Sequence, residues 1–285
     1  MLERLSRSWE LVCASAALLQ QDRKLLVFPL ISTFVMLLVV AGFALPLFGL
    51  GAVGSLTEGD DDLSRSGYLV AFLFYLIEYF IIFYFNVALV GCAMMRLEGS
   101  TPTVSDGLRL AASKAPVIFA YAAIDATIGI ILRAIMEWVG WLGALVVALF
   151  GAAWTMATYL VVPVLVANDV GPLRAISEST ELLKQTWGES VIGQVSIGLG
   201  FVWVYFILIA LCTLLVWIAT ALQLGALAAF LVLLFVVALV LTVVVHSALS
   251  GIYAAVLYRF ATSGEGAPGF NALTLQGAFE PKGFR

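Results

Sequence analysis

Six long apolar runs constrain this chain more than any other feature of its sequence. They are Leu25–Leu50, Tyr68–Met95, Pro116–Arg133, Val139–Ala167, Val191–Ala219 and Leu224–Phe260. Runs of about 18 or more apolar residues are long enough to cross the hydrocarbon core of a bilayer as helices. Because 63% of the 285 residues are hydrophobic and 11% are charged, the composition agrees with this interpretation. The sequence therefore predicts an all-α integral membrane bundle of six helices.

The basic side chains orient these predicted spans. Twelve of the fourteen lie on the side of the N-terminus: Arg4, Arg7, Arg23, Lys24, Arg96, Arg109, Lys114, Arg174, Lys184, Arg259, Lys282 and Arg285. Since loops rich in Lys and Arg stay in the cytoplasm, we expect a multi-pass protein of the inner or plasma membrane with both termini cytoplasmic. The formal net charge of -4 offers nucleic acid no attraction, so the expected partner is the lipid bilayer and not nucleic acid.

A segment with helical apolar spacing precedes each pair of predicted spans. The first carries Leu2, Leu5, Trp9, Val12, Ala16 and Leu19, the second Val104, Leu108, Ala111 and Ala115, and the third Leu173, Ile176, Thr180, Leu183 and Trp187. Steps of three and four residues place each set on one stripe of a helix. We therefore expect three cytoplasmic amphipathic helices in three pseudo-repeat units, 1–97, 98–169 and 170–262. Together the units form one membrane domain (1–262), followed by a cytoplasmic tail at 263–285.

The starts of two amphipathic helices carry recognisable signals. Thr103 with Asp106 three residues later resembles a capping box, and Pro172 suits the first turn of a helix. Such helices can close the cytoplasmic face of the bundle as a collar or lie in the headgroup layer. Small or polar stripe members such as Ala111 and Thr180 favour the collar. Pro163, near the inner end of the fourth run, is expected to bend that span toward it.

Ionisable residues inside the predicted spans are the first functional candidates. Glu78, Asp125 and His246 lie there, and each costs roughly 2.5–3.5 kcal/mol on insertion scales. At helical rise the two carboxylates lie at a similar depth, where two acids on neighbouring helices can share a proton. With His246 below them they would form an ion-coupled conduit, helped by three polar neighbours: Asn86, Tyr79 and Tyr84. The alternative is that each polar group joins helices by hydrogen bonds alone.

Signatures of enzyme chemistry are missing from the sequence. It has no P-loop, zincin helix, nucleophile elbow or dinucleotide-binding glycine pattern. One histidine and three scattered cysteines do not make a conventional transition-metal site. We therefore expect a protein without catalytic residues, metal or cofactor.

Several stretches carry a family resemblance over nearly the whole chain. They are Ser179–Gly188 (STELLKQTWG), Leu257–Ala261 (LYRFA), Ala278–Lys282 (AFEPK) and Val162–Val164, with Trp9 in the opening helix. In combination they resemble an uncharacterised prokaryotic family of multi-span membrane proteins, classed as a domain of unknown function. That resemblance implies membership without a reaction or ligand. A more distant similarity is to the membrane domain of some glycerophosphodiester phosphodiesterases, which by itself implies no phosphodiesterase activity.

The recurring residues also predict a cytoplasmic interface. Trp187, Tyr258 and Arg259 lie at the level where aromatic and basic anchors belong. A sharper hypothesis is that Arg259 pairs with Glu178, Glu181 or Glu189 and fixes the collar to the last span.

The leading function expected from these features is a channel-like or transporter-like conduit, or a binding site, for a small ion, solute or lipid. The protein would act as a homo-oligomer if one bundle is too small for a pore. The alternative is a membrane scaffold or accessory subunit that binds protein partners through its collar and tail. A conduit needs a polar cavity that reaches Glu78 or Asp125, whereas a scaffold needs only a dry bundle.

Overall fold

The structure is a computed structural model that describes residues 18–45, 57–58, 62–63, 65–139, 141–185 and 187–263. Six helical segments in these ranges are long and apolar enough to span a membrane. They are Arg23–Ala44, Gly67–Leu97, Ala115–Met136, Gly143–Ala167, Ile197–Ala221 and Gly225–Arg259. Each coincides with one of the predicted runs, so the expectation of an all-α protein with six spans is confirmed.

Most of the helices follow one another with short connections, and a longer segment joins the first two. In chain order they are α1 (Val27–Ala44, preceded by a 3-10 turn at Arg23–Leu26), α2 (Arg65–Leu97), α3 (Val104–Ser113), α4 (Ala115–Val139), α5 (Trp141–Ala157), α6 (Val161–Ala167), α7 (Pro172–Gln185), α8 (Trp187–Ala221) and α9 (Gly225–Ser263). Between α1 and α2, β1 (Thr57–Glu58) pairs antiparallel with β2 (Asp62–Leu63). The long helices carry the spans, and the short helices α3 and α7 each precede a pair of them.

Helix α2 is the centre of the bundle, because it packs against α1, α3, α4, α6 and α9. Its residues from Val87 to Ala93 are all buried, so this part of the helix is enclosed on every side. In contrast, α8 packs mainly against α9. It exposes large apolar side chains such as Trp203, Phe206 and Trp217. An outer helix with this surface is suited to contact with lipid.

Helix α3 lies close against α2. At Gly107 an added Cβ would stand 2.6 Å from the Cys92 Sγ and 2.9 Å from the Ala88 carbonyl oxygen, so only glycine fits this contact. The predicted capping box begins the helix. The Asp106 carboxylate accepts from the Thr103 backbone N–H at 2.9 Å, and the Thr103 hydroxyl accepts from the Asp106 backbone N–H at 3.3 Å. These bonds satisfy two N–H groups at the helix start.

The fourth span is interrupted where a bend was expected. Helix α5 ends at Ala157, and α6 begins at Val161, two residues before Pro163. Proline lacks an N–H and disrupts the helix before it. The fully buried Ser179 of α7 fills the gap, because its hydroxyl donates to the Ala157 carbonyl at 2.7 Å and accepts from the Leu160 N–H at 3.0 Å.

The pseudo-repeat remains a prediction. Most of the first amphipathic segment, from Leu2 to Ala16, lies outside the described residues, as does the tail from residue 264 onward. Helix α7 begins at Pro172, as the first-turn proline indicated. Trp187, which the stripe placed at the end of this helix, is instead the first residue of α8.

Candidate functional site

A half-open cavity of about 480 Å³ lies among α2, α4, α5, α6 and α9. Its described lining includes ten residues with polar groups: Tyr79, Asn86, Tyr121, Asp125, Trp154, Thr155, Thr158, Tyr159, Ser247 and Ser250. Pockets that hold small molecules commonly measure about 300–1,000 Å³. The cavity is therefore large enough for a small solute, and it reaches one of the two predicted carboxylates.

Asp125 of α4 brings a carboxylate into this cavity. No other Asp, Glu, Lys or Arg occurs among the described residues that line it. Its Oδ1 accepts a hydrogen bond from the Trp154 Nε1 of α5 at 2.9 Å. A hydrogen bond to a charged group is worth roughly 1.5–3 kcal/mol, which offsets part of the insertion cost of roughly 2.5–3.5 kcal/mol. The bond also fixes the carboxylate at the cavity wall.

Aromatic rings form much of the remaining wall. Tyr79 stacks on Phe83 with ring centroids 6.1 Å apart, and Phe83 meets Tyr121 at 4.5 Å. Trp154 and Tyr159 line the same space. The faces of such rings carry negative electrostatic potential and attract cations. Carboxylate and rings together favour positive charge in this cavity.

Two polar atoms in the lining have unused hydrogen-bonding capacity. The Asn86 Oδ1 and the Tyr159 Oη are buried and lack a hydrogen-bond partner among the described residues. A buried group left in this state costs roughly 1–3 kcal/mol. Both residues line the cavity, so rotation of either side chain would offer its oxygen to a polar guest there.

The predicted candidates divide into two groups. Asp125, Asn86 and Tyr79 line the cavity together, whereas Glu78 and His246 do not. The His246 ring stacks on Phe201 with centroids 4.3 Å apart, and its Nδ1 lies 3.4 Å from the Tyr205 hydroxyl. His246 thus joins α9 to α8, as the helix-joining alternative expects.

Tyr84 also serves helix packing. Its hydroxyl donates to the Leu108 carbonyl at 3.3 Å and so links α2 to α3. Glu78 is partly buried on α2. The three intramembrane ionisable groups therefore do not share one described cavity.

A polar network joins the short helices beside the last span. The Lys114 ammonium pairs with the Asp169 carboxylate and donates to the Asn168 carbonyl at 3.1 Å. The Asn168 side chain donates to Glu178 at 3.2 Å and lies near the Tyr258 hydroxyl of α9. The hydrogen bond and charge of Lys114 lower the pKa of Asp169 below its ordinary value. These bonds link the α3–α4 junction to α7, and Tyr258 of α9 lies beside them.

The predicted interface is only partly visible in this network. Tyr258 lies beside Asn168. Glu178 accepts a hydrogen bond from Arg174 at 2.9 Å. Arg259, the residue after Tyr258 on α9, is partly buried. The pairing of Arg259 with a glutamate stays a prediction. The side chain of Trp187 lies outside the described residues.

Sequence reasoning missed two important side chains. Trp154 lies 29 residues from Asp125, so no local pattern joins them. Ser179 is one hydroxyl among many in an apparently polar helix. The part of the cavity wall that α2 contributes could have been predicted from the sequence. Its residues are spaced by four, three and four positions and therefore share one helix face: Tyr79, Phe83, Asn86 and Val90.

Fold and site together define a multi-pass integral membrane protein whose bundle holds a half-open cavity lined by an intramembrane carboxylate. Residues 65–270 match a family described as a family of unknown function, DUF6159. The match covers well over half of the chain, so the chain belongs to that family. No curated protein and no solved structure matches the chain. The expected membership in an uncharacterised family is confirmed, whereas the similarity to the phosphodiesterase membrane domain stays a prediction.

Proposed function

We propose that this protein binds a small cation or cationic solute at Asp125 and conducts or carries it across the membrane, without catalysing a reaction. One observation supports this more than any other: a carboxylate inside the bundle lines a cavity of about 480 Å³. Intramembrane ionisable residues are functional candidates when they face an interior cavity. Asp125 meets that condition.

The chemistry of the lining supports a positive guest. Asp125 is the sole Asp, Glu, Lys or Arg among the described lining residues, so the described wall offers negative charge and no compensating cation. The aromatic rings of Tyr121 and Trp154 also line the cavity, and a ring face turned toward the guest would add attraction for a cation. Hydroxyls at Ser247 and Ser250 supply oxygen atoms to a partly dehydrated ion or ammonium group.

The scaffold alternative has less support. A dry bundle would suffice for a scaffold, and the cavity around Asp125 is not needed for that role. The tail that would bind partners lies outside the described residues. Homo-oligomerisation remains a prediction of the sequence.

The orientation and the repeat are part of the same proposal. We infer that both termini face the cytoplasm of a prokaryotic inner or plasma membrane, because the basic residues follow the positive-inside pattern. Helices α3 and α7 support a repeat of a short helix followed by two spans. Each also buries small or apolar residues, such as Ala111 and Leu183. A cytoplasmic collar built from these helices would lie at the inner mouth of the conduit.

The test is uptake by purified protein in liposomes. The probes are Na⁺, K⁺ and radiolabelled tetramethylammonium, each measured against empty liposomes. We expect Asp125→Asn to reduce uptake of the transported probe at least about tenfold, because the amide removes the negative charge at the site. The matched control is Glu78→Gln, which neutralises an intramembrane carboxylate outside the cavity and should retain most uptake. Equal uptake by native protein and Asp125→Asn would remove Asp125 from the mechanism.

A further inference from the structure

A second cavity of about 270 Å³ lies beside the first, among α1, α2 and α9. Most of its wall is apolar: Pro29, Met36, Ile82, Phe85, Leu89 and Val243. The hydroxyl of Thr33, which also lines it, donates to the Pro29 carbonyl of its own helix at 2.7 Å. The described lining has no Asp, Glu, Lys or Arg. This smaller cavity therefore suits an apolar group.

The two cavities meet at shared residues. Asn86 of α2 and Ser247 of α9 line both of them. Ser247 is exposed to open space, and the Asn86 Oδ1 is buried without a partner among the described residues. The two cavities thus share two small polar side chains as a common part of their walls.

Gly251 lets α2 and α9 approach each other closely beside Asn86. An added Cβ at this position would stand 2.6 Å from the Leu89 Cδ2 and 3.3 Å from the Asn86 Oδ1. Because glycine has no side chain, Leu89 and Asn86 of α2 fit directly against the α9 backbone here. Asn86 lines both cavities, so rotation of its side chain would change the opening between them.

We propose that both cavities together form one site for an amphipathic organic cation, with its ammonium head beside Asp125 and its apolar tail past Asn86 in the smaller cavity. This inference rests on the proposed function, since it takes the cation site at Asp125 as given. The charge of the larger cavity matches the head, and the apolar wall of the smaller one matches the tail. The Asn86 side chain lies beside the segment that joins them. An inorganic ion would use only the larger cavity.

The test compares two probes with the same head. Tetramethylammonium carries no tail, and hexyltrimethylammonium adds five methylenes. Binding is measured by titration calorimetry on protein in phosphatidylcholine nanodiscs, with heats from empty nanodiscs subtracted. Each fully buried methylene strengthens binding about fourfold. We therefore expect the hexyl compound to bind native protein at least about tenfold more tightly, even if its tail is only partly buried.

Variants locate the tail. Ser32→Leu and Val243→Phe each fill the smaller cavity without touching the larger one. Each should remove the hexyl advantage and leave tetramethylammonium binding intact. The matched control is Thr213→Leu on the exposed surface of α8, which should preserve the advantage. Asp125→Asn should weaken both probes.

The outcomes separate the two proposals. If Asp125→Asn binds both probes as native protein does, the cation site itself is wrong. If native protein binds neither probe, the extended site is wrong, and uptake of Na⁺ and K⁺ decides whether the cation site stands. If tetramethylammonium binds through Asp125 but the hexyl chain adds nothing, the extended site is wrong and the cation site stands. The extended site is also wrong if the hexyl advantage survives both filling variants. Loss of tetramethylammonium binding in both variants would likewise contradict two separately fillable compartments.

Discussion

The hydroxyl of Ser179 bridges the interruption in the fourth span, and its removal tests how that interruption is stabilised. Ser179 is 0% exposed. Its oxygen donates to the Ala157 carbonyl at 2.7 Å and accepts from the Leu160 N–H at 3.0 Å. Both groups lie in the break between α5 and α6. Ser179→Ala leaves both without this partner, while it changes little volume.

The expected loss follows from these two groups. Leu160 is fully buried, so its N–H cannot turn to water, and an unsatisfied buried group costs roughly 1–3 kcal/mol. The Ala157 residue is partly exposed, which places its carbonyl near the lower end of that range. Hydrogen bonds inside membrane proteins often contribute only about 0.6 kcal/mol each, which argues against the upper end. We expect Ser179→Ala to lower the free energy of unfolding by roughly 2 kcal/mol.

The neighbouring Thr180 provides a matched control. Its hydroxyl donates to the Ile176 carbonyl of its own helix at 2.8 Å, so Thr180→Ala breaks no link between helices. Reversible unfolding in mixed detergent micelles gives the free energy of unfolding for native protein and both variants. Thr180→Ala should change it by about 0.5 kcal/mol or less. If the two variants differ by less than about 0.5 kcal/mol, the bridging role of Ser179 is refuted.

Two further predictions concern the short helices and the orientation. Because Lys114 lowers the pKa of Asp169, the pair stabilises the fold above the ordinary pKa of about 3.9 and loses this effect as pH falls through the lowered value. NMR titration should find the pKa of Asp169 raised toward its ordinary value in Lys114→Met but unchanged in Arg174→Met. Equal pKa values of Asp169 in native protein and Lys114→Met would show that Lys114 does not lower it. Reporter tags at both ends of the chain should report cytoplasm, whereas tags on opposite sides of the membrane would overturn the orientation and the repeat.

The spans were predictable because their signal is strong and local. An apolar run such as Leu224–Phe260 has no stable alternative to a membrane helix. The capping box at Thr103 was equally readable, since its two partners lie three residues apart. Such features depend on neighbours along the chain, which the sequence displays directly.

The bond between Asp125 and Trp154 was not predictable, because it depends on how α4 meets α5. The same holds for Ser179, whose partners lie 19 and 22 residues away. Pro163 indicated that the fourth span would be disturbed, but not that α7 would supply the missing hydrogen bonds. Contacts between helices follow from packing angles, which apolar periodicity in a single chain leaves open.

The depth of each carboxylate in the membrane follows from the sequence, whereas the direction of its side chain depends on how its helix packs. Glu78 lies eleven residues from Gly67, and Asp125 lies eleven from Met136, which puts each about 16 Å into its span. The direction of Glu78 follows from α2 itself. It lies four residues before Ile82, on the stripe that continues through Phe85 and Leu89 and faces the smaller cavity.

Residues one position apart on a helix point about 100° away from each other. Tyr79 lines the larger cavity, so Glu78, one residue earlier, belongs to the face toward α1. Two acids at one depth therefore occupy different helix interfaces. A proton shared directly between them is not supported by this arrangement, because sharing requires the two carboxylates to be in contact. For this reason Glu78→Gln is a suitable control for Asp125→Asn, since it removes an equally deep carboxylate from a different face of the bundle.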